Sequence, residues 1–274
     1  MLAFDAAGDA GDPVVVLLHG WPLNRSIWSE VLDPIAGAGF RVLAPDLPGF
    51  GESPPMDPEA ATVEAYAEEV ARFLEAFGRG PVSIAGHSFG GYVALALAER
   101  RPDLVGSLGL VSSRAIADTD AARKGRHETI EKIRASGTKA LLPGLVEKLL
   151  GPAVPVGLPA RTRAIIERAR PDGTIAALAA MATRPDRTPV IEGFRGPALI
   201  LHGFADALIP VAEAANARSS SHVVRVILPD LGHLPMWEAP KASIDAILEW
   251  ANRSRGGPGL SAWPGNWREK TKPG

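Results

Sequence analysis

One serine of this chain lies between two glycines in the pattern G-x-S-x-G, at Gly86-His87-Ser88-Phe89-Gly90. The apolar run from Val82 to Ala85 predicts a strand before it, and Tyr92 to Arg101 predicts a helix after it. A strand that turns directly into a helix strains its turn residue, and neighbouring glycines permit that strain. The pattern predicts a nucleophilic serine held above the sheet at the positive end of a helix. The alternative is an ordinary serine in a glycine-rich turn.

A serine hydroxyl is a weak nucleophile, so it needs a base, and the base needs an acid that orients it. Among the six histidines, His233 lies in the loop after the last predicted strand, and Asp206 lies just past the strand before it. Because parallel strands end at the same edge of a sheet, these loops can meet the one that carries Ser88. The order Ser88, Asp206, His233 is the one expected of such a triad. Asp230 competes for the role of the acid, but its position three residues before His233 suits a turn.

The oxyanion that forms during acyl transfer needs two N–H donors placed in advance. The backbone N–H of Phe89 is one candidate, because it would come first in the helix after Ser88. The other is the N–H of Trp21, in the loop His19-Gly20-Trp21-Pro22 after an apolar run. The alternative for Trp21 is that its side chain only packs the loop.

Short apolar runs that alternate with helical patterns must position these residues, and they predict an α/β fold with parallel strands. The runs begin at Val14, Arg41, Val82, Val105, Ala198 and Val223. They are continuous rather than alternating, as expected of strands covered by helices on both faces. Helical spacing is clearest from Val63 to Phe77 and from Ile244 to Trp250.

The alternation of predicted strands and helices is interrupted by residues 114–194, which separate two strands that would otherwise be consecutive. Amphipathic stretches from Ala121 to Ser136 and from Lys139 to Leu150 predict a helical cap over the strand ends. We therefore divide the chain into a core of residues 1–113 and 195–255, a cap of residues 114–194, and a Pro/Gly-rich tail of residues 256–274. Four apolar cap residues are predicted to shape an acyl pocket, although helical spacing also suits plain packing: Leu142, Leu145, Leu149 and Met181.

The composition narrows the chemistry further. The 274 residues are 46% apolar and include no cysteine, which excludes disulfides, thiolate metal sites and a cysteine nucleophile. With 29 basic and 31 acidic residues the formal charge is −2, so we expect neither a nucleic acid nor a membrane as partner. No metal or organic cofactor is expected for serine chemistry.

The sequence has no apolar stretch typical of a signal peptide or a membrane span, and we expect a cytoplasmic protein. Its oligomeric state is left open.

These motifs together resemble the α/β-hydrolase superfamily, in its group of small cap-bearing serine esterases and lactonases, over about Phe4 to Trp250. The matching segments, in chain order, are His19-Gly20-Trp21-Pro22, Asp46-Leu47-Pro48-Gly49-Phe50-Gly51-Glu52-Ser53, Gly86 to Gly91, Gly203-Phe204-Ala205-Asp206 and Gly232-His233. The resemblance implies an α/β-hydrolase fold whose mostly parallel sheet is flanked by helices. The family usually begins with a β-hairpin, and here only Leu2 to Asp5 could supply part of it. We therefore expect the first strand to be missing and the sheet to have about seven strands.

The predicted activity is hydrolysis of a small carboxylic ester or lactone through an acyl-enzyme. Enol-lactone hydrolysis, carbon–carbon bond hydrolysis of diketones and cofactor-free haloperoxidase or perhydrolase activity use the same machinery and stay as alternatives. Haloalkane dehalogenases and epoxide hydrolases need a carboxylate where this chain has Ser88. A hydrolase-fold receptor that binds a ligand without turnover is the alternative from another class.

Overall fold

The computed structural model describes residues 1–78, 80–152, 154–214 and 222–255, so the predicted tail lies outside the described residues. Within these residues the chain forms a sheet of seven strands: β1 (Phe4–Ala7), β2 (Val14–Leu18), β3 (Arg41–Pro45), β4 (Val82–His87), β5 (Val105–Val111), β6 (Ala198–Gly203) and β7 (Val223–Leu228). The strand order is β1-β3-β2-β4-β5-β6-β7. Only β1 among them runs antiparallel to its neighbour. The predicted seven-stranded, mostly parallel sheet is confirmed.

The N-terminal strand is more complete than the short apolar start of the chain indicated. It runs to Ala7, and its residues pair with β3 from Phe4 opposite Pro45 to Ala7 opposite Val42. The ring of Phe4 also packs edge-on against Phe73, with ring centroids 5.3 Å apart. This contact between the partly buried Phe4 and the buried Phe73 ties the edge strand to helix α2 behind it.

Helices cover both faces of the sheet. They are α1 (Ser29–Gly37), α2 (Val63–Ala76), α3 (Phe89–Arg100), α4 (Asp120–Ser136), α5 (Leu142–Leu149), α6 (Leu158–Arg168), α7 (Pro171–Thr183), α8 (Thr188–Gly193), α9 (Val211–Ala214), α10 (Pro235–Glu238) and α11 (Pro240–Ser254). Helix α1 packs against α11, and α2 packs against α3. In the part of the chain that the structure describes, no helix has both the length and the apolar character needed to cross a lipid bilayer.

Helix ends follow local chemistry. Thr62 caps α2 by accepting a hydrogen bond from Ala65 N at 3.1 Å. The same chain segment turns away at Gly78, whose φ of +61° favours glycine. Helix α3 begins at Phe89, as expected for the oxyanion donor. The helical run that starts at Tyr92 in the sequence is therefore longer by one turn, whose two buried glycines have low helix propensity.

The segment between β5 and β6 contains α4 to α8. The helical stretch predicted from Lys139 to Leu150 is divided, because a 3₁₀ turn over Thr138–Leu141 precedes α5. Within α5, Pro143 has ψ 107° and Gly144 has φ 81°, so the chain leaves helical geometry at both residues. Proline and glycine are the residues least compatible with a helix interior.

The two stretches of chain that connect this segment to the sheet, near residue 115 and near residue 187, are hydrogen-bonded to each other. Arg187 N donates to Ala115 O at 2.9 Å, and Arg184 Nη2 donates to Ile116 O at 3.0 Å. Arg184 Nη1 also lies 2.7 Å from the buried carboxylate of Asp118. The chain therefore enters and leaves the helical segment at neighbouring points.

Candidate active site

The turn between β4 and α3 holds Ser88 in a strained conformation. Its φ of 49° and ψ of −112° lie outside the regions that L-residues ordinarily adopt. A Cβ on Gly86 would overlap the Gly90 carbonyl, and a Cβ on Gly90 would lie 2.6 Å from His19 O. Glycine is required at both positions because backbone passes where a side chain would be.

The strained turn is fixed by backbone contacts with the end of β5. Ser88 N donates to Val111 O at 2.9 Å, and Ser113 Oγ donates to Ser88 O at 2.8 Å. Ser88 is partly exposed, whereas His87 and Phe89 on either side are buried. Its side chain is thus the member of this turn that solvent can reach.

Asp206 and His233 form a buried pair. His233 Nδ1 donates to Asp206 Oδ2 at 2.6 Å, and the two residues are 7% and 1% exposed. The second carboxylate oxygen, Oδ1, accepts from Leu208 N at 2.8 Å and from Ile209 N at 3.0 Å. These contacts hold the carboxylate in one orientation and place the proton of the imidazole on Nδ1, so that Nε2 is left to accept a proton.

Asp206 keeps its negative charge although burial disfavours the charged form. Burial acts to raise the pKa of this carboxyl, but the electrostatic interaction with His233 and the hydrogen bonds from His202, His233 and Ile209 N outweigh it. The resulting pKa lies well below the usual range for aspartate. The competing carboxylate, Asp230, is exposed and has φ 60°, the conformation of a turn residue.

Two further buried histidines adjoin this pair, and their roles could not be read from isolated sequence positions. His202 Nε2 lies 3.3 Å from Asp206 Oδ2 and donates to Ile209 O at 2.8 Å. His87 Nε2 donates to His233 O at 2.8 Å, and the His87 and His233 rings meet edge-on with centroids 4.7 Å apart. The only sequence signal was the closeness of each histidine to a predicted site residue.

The ring contact with His87 brings His233 beside the residue that precedes Ser88. Within the described residues, the hydrogen bond of the His233 ring is the one from Nδ1 to Asp206, and none joins the ring to Ser88 Oγ. Such contacts often tighten only when substrate is bound.

The loop after β2 abuts the serine turn and is held by His19. Leu47 N donates to His19 Nε2 at 2.9 Å, so the proton is on Nδ1, which donates to Gly20 O at 3.0 Å. Leu23 N donates to the same carbonyl at 3.0 Å. Because C=O and N–H point in opposite directions in a trans peptide, these bonds direct the Trp21 N–H away from the His19 ring.

The two predicted oxyanion donors have different surroundings. Phe89 is the first residue of α3, so its N–H has no acceptor within the helix. The backbone N–H of Trp21 makes no backbone hydrogen bond within the described ranges. The indole Nε1 of Trp21 donates to Thr174 O of α7 at 3.1 Å, which links this loop to the helical segment above it.

The four predicted pocket residues have diverse surroundings. Leu149 and Met181 are buried, and Leu142 and Leu145 are partly buried against the core. Leu149 O accepts from His233 N at 3.0 Å, so its backbone adjoins the predicted base. A cavity of about 410 Å³ lies elsewhere, between the chain start and the loop after β3, and none of the predicted site residues line it.

Comparisons with known proteins agree with this architecture. A family model described as alpha/beta hydrolase fold matches residues 13–240. The chain is similar to a solved thermophilic esterase from Thermogutta terrifontis, with 34% identity, a TM-score of 0.85, and coverage of 92% of this chain and 93% of that one.

Curated relatives include enzymes with two kinds of name. The pimeloyl-[acyl-carrier protein] methyl ester esterase of Aromatoleum aromaticum is 29% identical over 84% of this chain and 94% of that protein. The dihydrolipoyllysine-residue acetyltransferase component of the acetoin cleaving system of Pseudomonas putida is 31% identical over 91% of this chain. The chain spans 66% of the length of that second relative. The esterase names support the prediction of a hydrolase that acts on ester bonds.

Proposed function

The chain belongs to the α/β-hydrolase fold family, and on that premise we propose that it hydrolyses small carboxylic esters or lactones through an acyl-enzyme on Ser88. In this proposal Ser88, His233 and Asp206 are the nucleophile, the base and the orienting acid. The backbone N–H groups of Trp21 and Phe89 hold the oxyanion.

The chemistry proceeds in two halves. Ser88 Oγ attacks the carbonyl carbon while His233 Nε2 takes the hydroxyl proton, and the carbonyl oxygen becomes an oxyanion. The intermediate collapses, the bond to the alcohol oxygen breaks, and His233 returns the proton to that leaving group. Water then attacks the acyl carbon with His233 again as base. The bond between the acyl carbon and Ser88 Oγ breaks, and His233 returns the proton to Oγ, which releases the acid and restores the serine.

The observation that carries the proposal is the buried 2.6 Å contact between His233 Nδ1 and Asp206 Oδ2 beside the strained Ser88 turn. A strained backbone and a buried carboxylate both cost free energy of folding. Their occurrence together is explained by a requirement for one nucleophile and one correctly oriented base.

The test combines labelling with turnover. A fluorophosphonate probe is expected to label one residue, Ser88, and the chain is expected to turn over a short-chain p-nitrophenyl ester many times. Ser88→Ala is expected to abolish both. Full ester hydrolysis by Ser88→Ala would falsify the proposal, and labelling without turnover would favour a ligand receptor.

The proposal also covers the substrate, the residues that form its pocket and the cellular location. The relatives named as esterases support a small ester as substrate, and the near-neutral charge of the chain is consistent with an uncharged one. Residues 114–194 are proposed as the cap, and Leu142, Leu145, Leu149 and Met181 as its contribution to the acyl pocket. A cytoplasmic location stays a prediction.

A further inference from the structure

A carboxylate outside the proposed triad accepts three backbone hydrogen bonds around His233. Glu238 Oε2 accepts from Gly232 N at 2.9 Å and from Gly151 N at 2.8 Å. Glu238 Oε1 accepts from Leu234 N at 3.0 Å. Two of these donors flank His233 directly, and the third, Gly151, follows α5 in the segment proposed as the cap.

The burial of Glu238 makes these contacts costly to lose. The residue is 9% exposed and forms no ion pair within the described residues. A buried carboxylate without a cation depends on hydrogen-bond donors for its stabilisation. The three N–H groups are therefore its main compensation, and each of them is held by it in turn.

The residues that end α5 complete the arrangement, and we call Leu149, Leu150 and Gly151 the cap end. His233 N donates to Leu149 O at 3.0 Å. Each of the three consecutive N–H groups of Gly232, His233 and Leu234 thus bonds either to Glu238 or to the cap end.

Glycine at both contact points allows the cap end to approach so closely. A Cβ on Gly151 would lie 2.6 Å from Asp230 O and 2.8 Å from Gly232 N. A Cβ on Gly232 would lie 3.0 Å from Leu150 Cα. The two backbones are in direct contact, so neither can move far without changing the hydrogen bonds of the other.

We propose that Glu238 is a positioning residue that joins the cap end to the loop carrying the catalytic base. It holds His233 in its productive place while the cap end is seated, and so makes the reactivity of the base depend on the cap. This inference rests on the proposed function, in which His233 acts on Ser88.

The main variant is Glu238→Gln, with Glu249→Gln as its matched control. A glutamine amide has one acceptor oxygen, so at least one of the three N–H groups would face an NH₂ donor instead. Glu249 lies on α11, where it pairs with Arg253 at 2.7 Å away from the base loop. We expect Glu238→Gln to lower kcat/KM by about tenfold to a hundredfold, as displacement of a catalytic group does, and Glu249→Gln to leave it unchanged.

A second variant keeps the carboxylate and disturbs the contact from the other side. Gly151→Ala would push the cap end away from Glu238 and Gly232. Its control is Gly125→Ala on α4, where an added Cβ would meet no atom within 4 Å. We expect the first to lower kcat/KM in the same direction as Glu238→Gln and the second to have no effect.

Active-site titration with a fluorophosphonate separates positioning from loss of folded protein. If Glu238 positions the base, all molecules still label but the rate constant of labelling falls. If the residue only stabilises the fold, the labelled fraction falls and the rate constant for the remainder is that of the wild type, which overturns the inference.

Hydrogen exchange gives a readout that does not depend on activity. We expect Glu238→Gln to speed exchange at Gly151, Gly232 and Leu234 more than elsewhere. Unchanged exchange at these amides, or faster exchange with an unchanged labelling rate, would overturn the inference. Ester hydrolysis by Ser88→Ala at the wild-type rate would instead overturn the proposed function. Failure of this inference and failure of the proposed function are therefore distinguishable.

Discussion

Asp206 presents one carboxylate oxygen to His233 Nδ1 at 2.6 Å, with both side chains buried. The other oxygen is occupied by two backbone N–H groups, from Leu208 and Ile209. The carboxylate therefore has a fixed orientation, and the imidazole a fixed tautomer.

Asp206→Asn is expected to lower kcat on the order of 10³- to 10⁴-fold. The two N–H groups would retain the amide oxygen, which turns the NH₂ group toward His233 Nδ1. The imidazole would then carry its proton on Nε2 and could not accept one from Ser88. Steady-state ester hydrolysis measures the loss.

The control for this substitution is Asp230→Asn. Asp230 is exposed with φ 60°, a conformation that asparagine adopts readily. We expect wild-type activity from this variant. Equal losses at both positions would contradict the assignment of the acid to Asp206.

Stability is expected to fall as pH drops below about 6.5, the ordinary histidine value. Burial first, and then the electrostatic influence of the neighbouring His233 imidazole, lower the pKa of His87 well below 6.5, and burial also lowers the pKa of His19. The unfolded chain takes up protons that the folded chain does not, so this stabilisation is complete above pH 6.5 and is lost toward acid pH. The slope is about 1.4 kcal/mol per pH unit for each such histidine.

His87→Gln isolates one of these contributions. The glutamine amide can still donate to His233 O but does not titrate. Urea denaturation between pH 5 and 8 is expected to show a shallower loss of unfolding free energy on the acid side for this variant. The same slope in both proteins would show that His87 does not contribute.

Gly86→Ala is expected to lower the free energy of unfolding by about 1–3 kcal/mol, as overpacking of a dense core does. The new methyl group would overlap the Gly90 carbonyl, and main-chain atoms cannot move aside as a flexible side chain can. Gly193→Ala is the control, because a Cβ there meets no atom within 4 Å. Denaturation curves for the two variants compare one added methyl group at a position packed against backbone with one at a position that has free space.

Trp21→Phe is expected to lower kcat about two- to tenfold, the value of one ordinary hydrogen bond. The ring is kept, but the indole donor to Thr174 O is lost, so the loop with the proposed oxyanion donor is less firmly held. Trp28→Phe serves as the comparison, since Trp28 Nε1 is buried without a partner among the described residues. An undiminished kcat in Trp21→Phe would show that the link to α7 does not affect the oxyanion.

Leu145→Ala is expected to change the preference among acyl chain lengths if the proposed pocket is correct. A methylene group in an apolar pocket is worth about 1–3 kcal/mol of discrimination. Leu145 is partly exposed, so its truncation costs less stability than that of the buried Leu149. Ratios of kcat/KM for acetate to hexanoate esters measure the effect, and Val156→Ala, at a fully exposed position of the proposed cap, is the control. An unchanged ratio would remove Leu145 from the pocket.

Local spacing made much of the fold predictable. Each predicted apolar run began where a strand begins, and the loops with Ser88, Asp206 and His233 share one edge of the sheet because parallel strands share a direction. The break in α5 was not predicted, although Pro143 and Gly144 were visible in the sequence. Apolar periodicity was given more weight there than the backbone limits of those two residues.

Other features depend on contacts between distant segments and have no local signal. Glu238 is an ordinary glutamate in sequence, and its three donors come from positions up to 87 residues away. His202 gains its significance from Asp206, four residues later but across a turn. Single side chains of this kind acquire a role only from the fold around them.

The junction between residues 114–118 and 184–188 has a consequence for how this molecule can be altered. Because the chain leaves the core and re-enters it at neighbouring points, the intervening helices can be exchanged or resized with little change in the entropy of closing that loop. Grafts joined within this junction must keep the Arg187–Ala115 and Arg184–Asp118 contacts. They must also supply a cap end for Glu238 and an acceptor for the Trp21 indole, so the helical segment is exchangeable only if its replacement keeps these contacts with the site.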